Sequence, residues 1–266
     1  LPKGAPAWAV ERYAGSDVSK ASTLLWNDIE KREEQHNYKK VAQLAGNYTI
    51  SLPHELSRDA QIALIEDYAR NNLMSNGEIA DIVIHDKGDG NPHAHIMTTL
   101  RGLEVDGFGK RIMAFTSKRI QLIGERAAWA AAANAALELE GFDERIDHRS
   151  NVDRGIDFEP CNYSKKIASK VEADGGVYRA KVRAIEARLE NDRILQEDPG
   201  QVLLVLGQEK SLFTHEDVAV EIRRKLPAAV TEGQVAHLCS LVMGHAELVN
   251  TGEVNYKNEA IYTTRA

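Results

Sequence analysis

The sequence predicts an α+β fold in which helices cover one face of an antiparallel sheet, followed by a helical connector and a small winged-helix-like module. Two observations support this prediction. Helical and strand patterns alternate through the first 160 residues, and two strand patterns stand next to each other as a hairpin. Beyond position 160 the chain becomes highly charged, and it then continues through helices to a second hairpin pattern. The predicted divisions are therefore 1–160, 161–197 and 198–266.

Periodicity, capping residues and turn residues give the order of elements in the first division. We expect a helix over 19–37, a strand over 41–52, a helix that begins at Ser57 and ends near Gly77, a hairpin over 79–99 and a helix over 118–140. A glycine-rich turn is expected at Gly107-Phe-Gly109.

The remaining residues predict a different organisation. The charged stretch from Ser164 to Leu195 is helical and is broken at Gly175-Gly176. Thr214 begins a helix in the manner of a capping box, and a further helix runs from Glu232 to Met243. The final hairpin pairs 247–251 with 260–264, which suggests the winged-helix-like module.

Three histidines, His85, His93 and His95, lie in the predicted hairpin of residues 79–99. Side chains two positions apart on a strand share one face, so His93 and His95 are expected about 6.5 Å apart. If the chain folds back at the polar turn between the strands, His85 lies opposite His93 or close to it, at about 5 Å. The spacing therefore predicts that all three imidazoles point at one metal ion.

Neutral imidazoles suit Mn, Fe, Co, Ni, Cu and Zn, and three of them leave coordination positions open for water or a phosphate oxygen. An open site of this kind is typical of catalytic metal centres. The alternative is that the second strand presents two polar residues to solvent while His85 hydrogen-bonds in the turn. A third histidine in register favours the metal site over that alternative.

The composition excludes some classes of protein. Charged residues give a formal net charge of −7, from 33 Lys and Arg against 40 Asp and Glu, which argues against a protein that grips nucleic acid over its whole surface. No apolar run is long enough to span a membrane, and the first residues lack a secretory signal, so we expect a cytoplasmic protein without membrane insertion.

A local basic segment follows the histidine hairpin. Between Phe108 and Arg126 one acid, Glu125, stands against five basic residues, a local balance of +4. The five are Lys110, Arg111, Lys118, Arg119 and Arg126. A basic patch beside a metal site fits a phosphodiester substrate, although each of these residues also fits a solvated helix face.

Several motifs, taken in order, resemble DNA relaxases of the MobA/MobL type. They are Leu1-Pro-Lys-Gly-Ala-Pro-Ala-Trp8, Leu52-Pro-His-Glu-Leu-Ser57, Gly90-Asn-Pro-His-Ala-His-Ile-Met97, Gly107-Phe-Gly109, Arg126-Ala-Ala-Trp129 with Asn134, Arg145-Ile-Asp-His-Arg-Ser150 and Gly155-Ile-Asp-Phe-Glu-Pro160. Further on, Leu212-Phe-Thr214 and Gly244-His-Ala-Glu-Leu-Val249 resemble the region that precedes the helicase motor in TraA-type conjugative relaxases.

This resemblance implies a relaxase fold of the HUH type and a metal-dependent, site- and strand-specific nick of single-stranded DNA at a plasmid transfer origin. The cofactor is expected to be a divalent metal, Mn or Mg, with Zn, Co and Ni as alternatives, held by the three histidines. Asp81 or Asp86 would orient a ligating imidazole by accepting its second N–H. The implied partners are the transfer-origin DNA, accessory transfer-complex proteins and a coupling protein.

The nucleophile is where the sequence departs from the family. In such relaxases a tyrosine attacks the phosphodiester and stays joined to the 5′ phosphate, and it precedes the Leu-Pro-x-x-Ala-Pro stretch, which here comes first. Tyr13 is the nearest candidate, and its surroundings favour a structural role. We therefore expect these residues to bind metal and to cleave DNA poorly or not at all.

Two other functions fit the same residues. A metal-dependent hydrolase would use water activated at the histidine site, and it would need an acidic general base beside the metal. A non-enzymatic DNA-binding module of the transfer complex would bind DNA in a salt-sensitive manner that does not depend on the histidines. No phosphate loop of the Gly-x-x-x-x-Gly-Lys-Ser/Thr type occurs, so ATP hydrolysis is not expected.

Overall fold

The chain forms two compact units, Leu1–Phe142 and Asp143–Ala266. The computed structural model describes residues 1–15, 17–34, 43–88, 90–112 and 119–265. Both units combine helices with antiparallel sheets, so the predicted α+β class is confirmed. The boundary predicted at residue 160 falls instead inside the second unit, because Ile156 and Phe158 are buried in that unit's hydrophobic core.

The first unit contains four helices and five strands among its described residues. The helices are α1 (Ala7–Tyr13), α2 (Val18–Glu34), α3 (Arg58–Tyr68), which continues as a π-helical turn (Ala69–Leu73), and α4 (Arg119–Leu139). The strands are β1 (Ala45–Ser51), β2 (Ala80–His85), β3 (His93–Thr99), β4 (Arg101–Glu104) and β5 (Gly107–Arg111). The predicted N-cap of α3 is confirmed, since the Ser57 side chain accepts a hydrogen bond from the Ala60 backbone N–H.

The turn predicted at Gly107-Phe-Gly109 is wrong, because these residues begin strand β5 and pair with β4. Glycine is required in this strand for a local reason. A Cβ atom at Gly109 would collide with the Glu104 side chain from the neighbouring strand. The glycine therefore permits close packing within the hairpin and does not mark a reversal of the chain.

Strand β3 is the centre of a three-stranded antiparallel sheet in the order β1-β3-β2. One face carries apolar side chains, including Ala94 and Ile96, and it packs against α3 and α4. In this layer Tyr68 and Trp129 make an edge-to-face contact with ring centroids 5.0 Å apart. The opposite face carries the three histidines, because side chains alternate along each strand.

Helix α2 approaches the histidine-bearing face at its other end. Asp81 Oδ2 accepts hydrogen bonds from Ser22 Oγ at 2.6 Å and from Trp26 Nε1 at 2.8 Å. Near the other end of α2, Arg101 Nε donates to Glu33 Oε1 at 2.6 Å, and both side chains are almost fully buried. The expectation that helices cover a single face is therefore too simple, since α2 also contacts the second face.

The second unit contains the remaining described elements. Its helices are α5 (Lys165–Ala173), α6 (Arg179–Glu197), α7 (Gly200–Glu209), α8 (His215–Lys225) and α9 (Glu232–Met243). Its strands are β6 (Phe213–Thr214), β7 (Leu248–Val254) and β8 (Ala260–Thr264), in the order β6-β8-β7. The predicted capping box is present, with Thr214 and Asp217 each accepting the other's backbone N–H.

The segment predicted as a connector over 161–197 is part of this unit. The chain does break between α5 and α6, where Gly175 adopts a φ of 75°. Helix α6, however, buries Leu195 in the same core as α7 to α9. Asn191 also joins α6 to the preceding segment, because its side chain donates to Glu159 O and accepts from Glu159 N. None of the described helices is long and apolar enough to cross a membrane.

Candidate metal centre

The hairpin register brings the three histidines together. His85 lies directly opposite His93, and His95 lies opposite Val83 on the same face of the sheet. The ring centroids are 5.6 Å apart for His85 and His93, 4.7 Å for His85 and His95, and 5.1 Å for His93 and His95. One ligand nitrogen from each ring lies within 4.8 Å of the others. The predicted convergence of the three side chains is therefore present.

Local sequence sets this register. The chain leaves β2 at His85 and turns through glycines with positive φ, 70° at Gly88 and 75° at Gly90. Asp86 Oδ1 accepts a hydrogen bond from the Gly88 backbone N–H at 2.9 Å, which is typical of an Asp that stabilises a turn. Pro92 then precedes β3, and its carbonyl accepts the Leu52 backbone N–H at 2.9 Å beyond the end of β1.

Two imidazoles are held through their Nδ1 atoms. His93 Nδ1 lies 2.8 Å from the Asn91 backbone carbonyl oxygen, which can only accept, so this nitrogen carries the proton. His95 Nδ1 lies 3.3 Å from Thr49 Oγ1 on β1. When Nδ1 is occupied by such a partner, Nε2 is left for a metal. Asn91 and Thr49 therefore do what was predicted for Asp81 or Asp86.

Sequence reasoning missed both supporting groups for different reasons. A carbonyl two residues before a histidine gives no signal in residue type, although the Asn-Pro-His order was available. Thr49 reaches His95 only through the pairing of β1 with β3, which the sequence does not reveal. His85 differs from the other two, because it is exposed and no described residue makes a hydrogen bond to its ring.

The two predicted carboxylates are engaged elsewhere. Asp81 shares the histidine face but stands four residues before His85 on β2, about 13 Å along an extended strand. Its Oδ2 atom binds Ser22 and Trp26 of α2. Asp86 is exposed and stabilises its own turn through Gly88. The acceptor role predicted for these carboxylates is therefore replaced by contacts that shape the fold around the site.

The predicted basic residues do not form one patch. Arg126 lies on the exposed side of α4, whose inner side packs against the opposite face of the sheet from the histidines. Arg111 donates to the Gln43 backbone carbonyl at 3.2 Å, and Lys110 is exposed on β5. Lys118 lies outside the described residues, as does the side chain of Arg119.

Tyr13 lies in a separate cluster where α1 packs on α2. Its ring is 8% exposed, and its hydroxyl donates to Asp28 Oδ2 at 2.7 Å. Burial, together with this hydrogen bond to a carboxylate, raises the pKa of the Tyr13 hydroxyl well above its usual value. A phenolate is therefore disfavoured at this position. The contacts are those of a packing residue, not of an activated nucleophile.

The donor set fits a transition-metal or manganese ion. Three neutral imidazoles on an open face supply three ligands and leave further positions free. The present spacing of up to 4.8 Å between ligand nitrogens would have to contract to roughly 3 Å around an ion with metal–nitrogen bonds of about 2.1 Å. Rotation of the exposed His85 side chain is sufficient for much of this change.

Comparison with known proteins places the chain among conjugation proteins. Residues 1–173 match the sequence profile of the MobA/MobL family. Conjugal transfer protein TraA of Agrobacterium fabrum (strain C58) is 35% identical over 252 residues, which cover 84% of this chain and 22% of that protein. Probable mobilization protein MobA of Bifidobacterium longum is 28% identical over 277 residues, which cover 87% of this chain and 46% of that protein.

A solved structure also matches. It comes from work titled "Molecular Basis of Vancomycin Resistance Transfer in Staphylococcus aureus" and shares 30% sequence identity, with a TM-score of 0.45 over 56% of this chain and 73% of that chain. The chain spans only about a fifth of the length of the TraA relatives, 22% in each case.

Proposed function

Because this chain belongs to the MobA/MobL family, we propose that it is the metal-binding part of a conjugative DNA relaxase, an enzyme that nicks single-stranded DNA at a plasmid transfer origin. The observation that carries the proposal is the convergence of His85, His93 and His95 on one open face of the sheet. The TraA and MobA relatives support the assignment to conjugal transfer and mobilisation.

The three histidines would hold a divalent ion, Mn or Mg in our proposal, with Zn, Co and Ni as alternatives. Such an ion would neutralise charge on the oxygens of the scissile phosphate and orient that phosphate for in-line attack. His93 and His95 would contribute Nε2, because Asn91 and Thr49 hold their Nδ1 atoms. The open face beside them admits a polymer, since Val83, opposite His95, is 50% exposed.

In this proposal a tyrosine oxygen forms a bond to the scissile phosphorus while the bond to the 3′ oxygen breaks, and the 3′ oxygen takes up a proton. Energy stored in the new phosphotyrosine bond allows the strand to be rejoined without ATP. We assign this role to no described tyrosine. Tyr13 is a poor candidate because its hydroxyl is buried against Asp28.

The described acids favour a relaxase over a metal-dependent hydrolase. A hydrolase of the kind considered above needs a carboxylate that can take a proton from a metal-bound water. Within the part of the chain that the structure describes, the candidate ligand group consists of the three histidines, and Asp81 and Asp86 are engaged elsewhere. We therefore retain the relaxase as the proposed function.

We also propose that the second unit includes a winged-helix-like module. Its elements run α7, β6, α8, α9, β7, β8 with strand order β6-β8-β7, an order of helices and strands that supports this proposal. Transfer-complex partners, including a coupling protein, belong to the proposal for the same family reason.

Metal-dependent binding of single-stranded DNA tests the proposed function. Fluorescence anisotropy of a labelled single-stranded oligonucleotide would be followed with Mn²⁺ and with EDTA, for the parent chain and for His93→Ala. We expect Mn²⁺ to raise the affinity of the parent at least about tenfold and to leave the variant unchanged. His54→Ala is the matched control, because His54 is an exposed histidine outside the group and the variant should respond as the parent does. Binding by the parent that ignores Mn²⁺ would count against the proposal.

A further inference from the structure

A cleft of about 570 Å³ lies between α6 and α9 in the second unit. Its walls include Asp192 and Gln196 from α6 and Gln234, His237, Leu238 and Leu241 from α9. Leu238 is buried at its base, whereas Leu241 remains 36% exposed at its edge. We call this feature the α6/α9 cleft. Nothing in the proposed nicking reaction uses it.

An exposed apolar stripe on α6 runs into the cleft. Val182, Ile185 and Leu189 are 42%, 49% and 58% exposed. Positions 182, 185, 189, 192 and 196 follow one another at steps of three or four, so they share one face of the helix. The stripe therefore continues directly to Asp192 and Gln196 in the cleft. Contiguous exposed apolar surface of this kind is typical of an interaction site.

The charge of α9 argues against DNA as the occupant. In a winged-helix arrangement the helix at this place in the chain order is the one that would enter a DNA groove. Helix α9, from Glu232 to Met243, contains one acid and neither Lys nor Arg. The hairpin that follows offers Lys257 against Glu253 and Glu259. Binding to a phosphate backbone requires clustered cations, and this surface does not provide them.

A second copy of the chain is also a poor occupant. Two α6 helices paired antiparallel along the stripe would set Val182 opposite Leu189 of the other copy. The same pairing would place Lys181 beside Arg188 of the other copy, and like charges at these flanking positions are unfavourable. The stripe is therefore not complementary to itself.

We propose that the α6/α9 cleft docks an amphipathic helix of a protein partner. Apolar residues of that helix, spaced at i, i+3 or i+4, and i+7, would pack on Ile185, Leu189 and Leu241. Asp192 is the one charged residue among those that line the cleft in this described region, and Glu232 begins α9 nearby. The complementary helix therefore carries a basic residue where it meets Asp192.

Selection from a displayed peptide library tests the proposal with the whole chain as the target. The library would hold 16-residue peptides with Leu or Ile at i, i+3 and i+7 and random residues elsewhere. We expect the enriched peptides to carry Lys or Arg on one flank. Their affinity, measured by fluorescence anisotropy, should fall at least tenfold in Leu189→Asp and in Leu241→Asp. Asp192→Lys should reverse the preference from basic to acidic flanks.

Val220→Asp is the matched control, because Val220 lies on α8, is 37% exposed and does not line the cleft. This variant should bind the peptides as the parent does, and circular dichroism should show equal helix content in all variants. The proposal is overturned if no peptide is enriched, or if enriched peptides bind the Leu241→Asp protein equally well. It is also overturned if Leu241→Asp abolishes binding to duplex DNA, or if Leu189→Asp abolishes self-association of the parent.

Discussion

Thr49 Oγ1 lies 3.3 Å from His95 Nδ1, although the two residues stand 46 positions apart in the chain. The contact exists because β1 pairs with β3 in a register that sets Thr49 directly opposite His95. Strand β1 contributes none of the three histidines, yet it orients one of them. The metal centre therefore depends on three strands and not only on the hairpin that carries its ligands.

Replacing Thr49 by valine tests this supporting contact. Valine keeps the shape of threonine but removes the hydroxyl, so the His95 ring loses the group that holds Nδ1. We expect Thr49→Val to weaken Mn²⁺ binding about tenfold, the lower end of what loss of such a supporting group costs, whereas Thr49→Ser should bind nearly as the parent does. Isothermal titration measures both affinities. Equal loss in the serine and valine variants would assign Thr49 a packing role only.

The buried ion pair between Arg101 and Glu33 should be important for the stability of the first unit. Arg101→Ala leaves the Glu33 carboxylate buried without its charged partner, which typically costs about 3–5 kcal/mol. All three tryptophans lie in the first unit, so urea unfolding followed by tryptophan fluorescence reports on that unit alone. Arg70→Ala removes a surface pair with Asp67 and should cost at most about 1 kcal/mol. Similar losses in the two variants would contradict the assigned role.

Asp28 should make the first unit sensitive to acid. Hydrogen bonds from Arg12 and then Tyr13 lower the pKa of the Asp28 carboxyl in the folded chain, against a smaller opposing effect of burial. A carboxyl with a lowered pKa contributes stability that is complete above its unfolded pKa of about 4 and is lost as the pH falls through the folded pKa. We expect Asp28→Asn to lower the free energy of unfolding by about 1–2 kcal/mol at pH 7.

The difference between the two proteins should shrink between pH 7 and pH 3, because protonation removes the same charge in the parent. Urea unfolding at both pH values measures it. A difference that stays constant over this range would show that the ionised carboxylate is not the stabilising form.

Local features of the sequence were sufficient to predict the hairpin and several helix ends. The histidine register follows from alternation and from a turn built of Asp, Gly and Asn, and Ser57 and Thr214 are capping residues whose partners lie three positions away. Contacts between distant segments were not predictable in this way. The placement of Asp81 beneath α2 and the grouping of Ile156 with the second core depend on packing that no local pattern records.

The same distinction explains the basic residues. Five of them are close in sequence, but a sheet separates the α4 face of Arg126 from the histidines. We expect Lys110→Ala and Arg111→Ala each to reduce the slope of log affinity for single-stranded DNA against log salt by about 0.7. Arg126→Ala should leave the slope unchanged. Anisotropy titrations at several salt concentrations give these slopes, and a reduced slope in Arg126→Ala alone would contradict the proposed DNA path.

Titration of Mn²⁺ into the metal-free chain tests the central claim most directly, with a His93→Ala, His95→Ala double variant measured beside it. The account predicts one ion bound per chain in the parent and none in the double variant, with both proteins equally folded by circular dichroism. Absence of binding in the parent, or equal binding in the double variant, would contradict the assignment of the three histidines as a metal centre.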